Sequence, residues 1–212
     1  MHQRPSPNCG PRRDGLTPSL IVIHHTAMES AEAALERLCD PAAEVSAHYL
    51  ITGQGGLYQL VDEEQRAWHA GAGSWRGEGD INSRSIGIEL DNDGTHPFAE
   101  SQMAALEGLL VGIMDRWAIP PAGVIGHSDM APGRKQDPGA RFDWVRLALQ
   151  GLAAQTRHID PAEVSEESFC TAARAAGYTA DVPFDTLLAA TRLRMAPWRR
   201  GPLTAEDYCF PD

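Results

Sequence analysis

Three short stretches carry side chains that can hold a metal ion and move protons. They are Ile23-His24-His25-Thr26, Ile88-Glu89-Leu90, and Gly126-His127 followed by Lys135-Gln136-Asp137. A catalytic zinc takes three protein ligands and keeps a fourth position open. His24, His127 and Asp137 supply such a set. Glu89 adds a carboxylate able to take a proton from water and pass it to a leaving amine. Lys135 adds a cation able to face an oxyanion. Together these are the parts needed to hydrolyse an amide. Spacing alone does not select them. The chain has eight histidines and no HExxH pattern, and Asp91 and Asp129 are competing carboxylates. On spacing, several of the histidines read equally well as surface or hydrogen-bonded core residues.

The elements around these residues are what would bring them together. Leu20-Ile21-Val22-Ile23 is a short apolar run of mostly branched residues and predicts a buried strand ending at His24. Its period of two puts His25 on the opposite face, as a packing or outer-lying residue. Ile86 to Leu90 reads as a second strand. In it, Glu89 is either half of a buried salt bridge or a carboxylate facing a groove. Val124-Ile125-Gly126 leads into His127, and a loop rich in Pro and Gly runs through Gly139. Residues 30–39 predict a helix with Ala34, Leu35 and Leu38 on one face, stopped by Asp40-Pro41. His48 to Thr52 and Leu57 to Val61 predict a hairpin around Gln54-Gly55-Gly56. Met103, Leu106, Leu110, Ile113, Met114 and Trp117 give the 3-and-4 spacing of a core-facing helix over residues 99–117. A further helix begins near Asp143. Ends of buried strands are where α/β folds usually place chemistry.

The chain of 212 residues has room for one substantial domain and a small appendage. Composition shifts after about residue 157, which predicts a main domain over 1–157 and a short helical tail over 158–212. Residues 1–18 read as an irregular arm punctuated by Pro and Gly. In the tail, Asp160, Glu163, Glu166 and Glu167 make an acidic linker. Phe169 to Ala176, closed by Gly177, and Leu187 to Met195 predict two helices. Thr204 to Asp207 resembles the capping box of a third that is cut short. The net charge of −11 disfavours nucleic-acid partners and anionic membrane surfaces. No apolar run is long enough to span a bilayer, so membrane insertion is not expected. The first residues lack the apolar stretch of a secretory signal, which predicts a cytoplasmic protein, or an exported one if an upstream signal was removed. Cys9, Cys39, Cys170 and Cys209 match no zinc-finger or CxxC spacing and read as reduced thiols.

Several blocks change the weight given to the first set of residues. Ile21-Val22-Ile23-His24-His25-Thr26-Ala27, Val45-Ser46-Ala47-His48-Tyr49-Leu50-Ile51, Ala67-Trp68-His69-Ala70-Gly71, Asn82 to Leu90, and Gly126-His127-Ser128-Asp129 through Gly139 occur in that order. The pattern resembles the zinc-dependent N-acetylmuramoyl-L-alanine amidases of the AmpD/AmiD type over roughly residues 6–150. The resemblance implies an α/β fold, with a mixed central β-sheet flanked by helices and a zinc groove. It implies one catalytic zinc on His24, His127 and Asp137, with Glu89 as the catalytic acid/base and Lys135 as the transition-state stabiliser. The implied reaction is hydrolysis of the amide between N-acetylmuramic acid and L-alanine in peptidoglycan fragments, in bacterial cell-wall recycling. Relatives of this kind include non-catalytic peptidoglycan-binding modules and phage-type lysins acting on intact wall. The complete ligand set with Glu89 argues against the first. Trp68, His69, Trp75 and Asn82 are expected to line the substrate groove, stacking on sugar and holding peptide amides. Trp68 reads as well as core. His25 stands where many relatives have Tyr or Asn and would alter the groove's polar lining. His48 reads as structural, an outer hydrogen-bond partner. Asp129 reads as a loop or capping residue, and Asp91 as facing away from Glu89. The tail resembles a reduced peptidoglycan-binding domain. Oligomeric state is not fixed by the sequence.

Overall fold

The structure, a computed structural model, describes all residues 1–212. The first half contains strands β1 (His2–Gln3), β2 (Cys9–Pro11), β3 (Leu20–His25), β4 (Tyr49–Ile51), β5 (Leu57–Gln59), β6 (Gln65–Ala67) and β7 (Ser85–Leu90), with helices α1 (Ala31–Cys39) and α2 (Ile81–Arg84) between them. The second half runs α3 (Glu100–Trp117), β8 (Val124–Gly126), α4 (His127–Met130), α5 (Trp144–Leu149), β9 (Thr156–His158), α6 (Glu166–Ala176), α7 (Phe184–Met195) and β10 (Cys209–Pro211). The central sheet has the order β1-β5-β4-β7-β3-β8. Strands β4, β7, β3 and β8 are parallel neighbours, while β4 and β5 form the antiparallel hairpin expected around Gly55. The sheet is therefore mixed.

Strand parity explains what each face carries. Ile21 and Ile23 of β3 and Ile86, Ile88 and Leu90 of β7 are fully buried against Met103, Leu106, Leu110 and Ile113 of α3. This is the stripe read from the sequence, and Met114 and Trp117 pack at its margin. The alternate residues face the other way. There, Leu20, Val22 and Ile125 meet Trp75 together with Phe169, Ala173, Leu187, Leu188, Tyr208 and Phe210 of the tail. Farther along that face, Leu50 meets Ala34, Leu35 and Leu38 of α1, whose N-terminus is capped by the Ser30 hydroxyl accepting from Ala33 N–H.

Two expectations change. The arm over 1–18 is not irregular throughout: β1 pairs with β5, and β2 pairs with β6. Strands of two or three residues have no periodicity to read, since their hydrogen bonds come from distant partners. The tail does not end in a third helix. Thr204 and Asp207 do form their capping box, but it holds one 3₁₀ turn, Ala205–Asp207, and the chain then enters β10, antiparallel to β9. Pairing with residues 156–158 makes a separate two-stranded sheet, and the shared apolar cluster joins the tail to the central one. All four cysteines are free. No helix is long and apolar enough to cross a membrane.

Candidate active site

Parallel register brings the reactive residues together at the C-terminal ends of the strands. His24 on β3 is paired with Glu89 on β7, and Ile23 is paired with Gly126, directly before His127. Both His24 and Glu89 stand on the face opposite α3. The loop after α4 returns Asp137 to the same place, where Ser128 N–H donates to the Asp137 carbonyl. His24 Nδ1, His127 Nδ1 and Asp137 Oδ2 form a triangle with edges of 2.9, 2.8 and 2.9 Å. A four-coordinate zinc with bonds of roughly 2.0–2.2 Å needs its ligand atoms about 3.3 Å apart. The three atoms thus stand within a few tenths of an ångström of the spacing an ion requires, and the donor set fits zinc. Both histidines are buried. Burial first, then the neighbouring His127, brings His24 down to about 4, so it is neutral at pH 7, as a ligand has to be.

Glu89 has no salt bridge: its Oε2 is sealed from solvent without a hydrogen-bond partner. Burial first, then the charge of Asp137, pushes its carboxyl up to about 8, against the opposing field of Lys135. Lys135 itself is exposed and lines the same groove. The walls also include His25, Met28, Arg37, Val45, Ser46 and Trp68. Arg37 carried no signal in the sequence, and Val45 and Ser46 stood there only as part of a family block, with no role in the groove. They sit on α1 and the loop after it, and only the fold carries them to the groove.

The residues expected to line the groove divide. Trp68 and His25 do line it, and His25 lies 3.1 Å by its Nδ1 from the Pro138 carbonyl oxygen. His69 touches the groove, and its ring also hydrogen-bonds behind His24, Nδ1 to His24 Nε2 at 2.9 Å. Two corrections follow. Trp75 is core, 2% exposed and edge-on to Tyr178; its apolar bulk goes where the tail covers the sheet. Asn82 is buried and does not line the groove. Its Oδ1 accepts from the backbone N–H of His69 and Ala70, so its acceptor is already committed. His48 is structural as expected, its Nδ1 accepting from Gly87 N–H. Asp129 caps α4 by accepting from Gly126 N–H, and also takes buried contacts from Arg194 and Tyr178. Asp91 turns to Gly53 N–H.

Fold and groove together define a mixed α/β protein whose reactive groups gather at the ends of parallel strands. A sequence profile of N-acetylmuramoyl-L-alanine amidases (Amidase_2) matches residues 14–140, and the chain belongs to this family of amidases. It is 41% identical over 151 residues to N-acetylmuramoyl-L-alanine amidase AmiD of Escherichia coli, covering 64% of this chain and 54% of that one. The aligned stretch thus spans about half the length of AmiD. It is 35% identical over 162 residues to 1,6-anhydro-N-acetylmuramyl-L-alanine amidase AmpD of E. coli, covering 68% and 88%. Among solved structures, E. coli AmiD in complex with the substrate anhydro-N-acetylmuramic acid-L-Ala-D-γ-Glu-L-Lys superposes with a TM-score of 0.78 at 31% identity, over 92% of this chain and 88% of that one. AmpDh3 of Pseudomonas aeruginosa, in complex with anhydromuramic pentapeptide, gives 0.79 at 30%, over 96% and 91%. Coverage that wide includes most of the tail.

Proposed function

We propose that this protein hydrolyses the amide between N-acetylmuramic acid and L-alanine in muropeptides, with one zinc ion held by His24, His127 and Asp137, and that it serves cell-wall recycling. The observation that carries the reading is the convergence of that triangle with an unpartnered carboxylate at the register-paired position of the adjacent strand. Relatives solved with anhydro-muropeptides support the substrate class.

When bound, zinc supplies Lewis acidity that polarises the scissile carbonyl and acidifies water. Glu89 takes the proton of the attacking water and passes it to the departing amine of L-alanine. A carboxyl raised toward neutrality suits a group that has to both accept and return a proton. A cation on the neighbouring ligands favours its ionised form, offsetting part of that rise. The Lys135 ammonium, whose field already reaches Glu89 and His24, faces the oxyanion of the tetrahedral intermediate. Trp68 offers an apolar wall for the sugar, and the polar edge of His25 lies near the peptide.

Replacing Glu89 separates its role from that of the ligands. Glu89→Gln is expected to retain one zinc per chain by elemental analysis and to lower kcat at least about 10²-fold. Activity within a few-fold of the wild type would remove Glu89 from the mechanism.

A further inference from the structure

A histidine that binds a metal has to turn a lone pair toward it, and the hydrogen bond at its other nitrogen decides whether it does. For His127 the outer partner is a backbone carbonyl. Its Nε2 lies 2.9 Å from the Ala70 carbonyl oxygen, which can only accept. Donation there leaves Nδ1 bare for a metal, in competition with the Asp137 carboxylate 2.9 Å from Nδ1. His24 has no carbonyl at its Nε2. It faces His69 Nδ1, and two imidazole nitrogens can share a proton in either sense.

The direction is set two links farther out. Ser85 Oγ lies 2.6 Å from the Ile81 carbonyl oxygen, so its hydroxyl hydrogen is used there. On its other side, Ser85 can only accept, and His69 Nε2 stands 3.2 Å away. His69 therefore donates from Nε2. Neutral, it keeps a lone pair on Nδ1, into which His24 Nε2–H donates. The Nδ1 of His24 is then bare toward His127 and Asp137, provided this outer chain outcompetes the Asp137 carboxylate, an acceptor 2.8 Å from that nitrogen.

We infer that His69 is a positioning residue for the metal centre, holding His24, through Ser85 and the Ile81 carbonyl, in the tautomer that a metal requires. The inference rests on the zinc reading above. Two other features support it. Asn82 Oδ1 accepts from His69 N–H at 3.0 Å and Ala70 N–H at 2.8 Å, so one buried amide fixes the dipeptide that serves both metal-facing histidines. Strand β7 also has a glycine where the His69 ring lies: a Cβ on Gly87 would stand 2.4 Å from a ring carbon.

The test uses the full chain, stripped of metal and titrated with zinc against a chelating competitor. His69→Leu keeps bulk without an acceptor and is expected to weaken zinc binding about 10- to 100-fold. His69→Asn, which restores an acceptor oxygen near the place of Nδ1, should recover part of that loss. Long-range ¹H–¹⁵N spectra of the metal-free wild type should show His24 protonated on Nε2. Zinc binding by His69→Leu within twofold of wild type, or a wild-type His24 protonated on Nδ1, would overturn the inference. Should His69→Leu fail to fold, Gly87→Ala crowds the ring while keeping every hydrogen-bonding group. It is expected to weaken zinc in the same direction, and unchanged affinity would count equally against the inference. A wild type that takes up no zinc is a different result: it overturns the zinc reading itself, while the His24 spectrum still judges the tautomer.

Discussion

Glu89 is a carboxylic acid on the face of β7 that also carries Ser85 and Gly87, opposite the apolar residues that meet α3. Folding takes one of its oxygens out of water and gives it no partner, which costs stability wherever the group is charged. Its carboxyl sits at about 8 in the metal-free fold against an ordinary 4.5. Between those values the unfolded chain has released a proton that the folded chain keeps. Metal-free protein therefore loses stability as pH rises through this window, by a few kcal/mol at its upper end. Glu89→Gln has no such loss. Thermal denaturation of both metal-free proteins from pH 4 to 9 should show a stability gap near zero at the acid end that widens in favour of the variant toward pH 8. A gap that stays flat would mean that Glu89 ionises normally. The strand pattern showed that a carboxylate was out of place. It did not show whether a cation waited beside it, because a salt bridge and an open groove look alike until the neighbours are known.

At the scale of elements, the legible parts were those whose burial imposes a period. The run from Leu20 to Ile23 alternates between α3 and the tail, and the stripe from Met103 to Ile113 meets it from one side. Elements defined by a distant partner were not legible: β1 and β2 within the arm, and β10 at the end of the tail. Asn82 and Trp75 were misplaced for a related reason. A polar amide and an indole suit a groove or a core equally well, and the fold gave the first to two backbone donors and the second to the tail. The buried contact between Arg194 on α7 and Asp129 on α4 also lay beyond sequence reading. Asp129 takes Arg194, Tyr178 Oη–H and Gly126 N–H at once, and the guanidinium stacks 3.9 Å from the Trp144 ring centroid. The pair clamps the tail onto the segment that begins with His127. Removing one partner strands a buried charge, so Arg194→Ala should lower the unfolding free energy by about 3–5 kcal/mol, measured by urea denaturation. A loss under about 1 kcal/mol would show that the apolar cluster alone holds the tail.

For the whole molecule, one sheet does two jobs. The face toward α3 is a continuous apolar core. The opposite face is covered by α1 on one side and the tail on the other, with the reactive groups at the strand ends. The family profile stops at residue 140, yet the apolar cluster over Val22 and Ile125 is built largely from residues after 160. The tail thus covers one face of the sheet that carries His24. Members of one fold serve different chemistry through such sites, so the groove has to carry the functional claim. The most direct measurement is hydrolysis of purified anhydro-muropeptides by the full chain, before chelation, after it, and after zinc is restored, with products identified by mass spectrometry. The account predicts free stem peptide beginning with L-alanine, lost on chelation and recovered with zinc. Intact muropeptide in the presence of folded, zinc-loaded protein, or cleavage that a chelator leaves untouched, would contradict it.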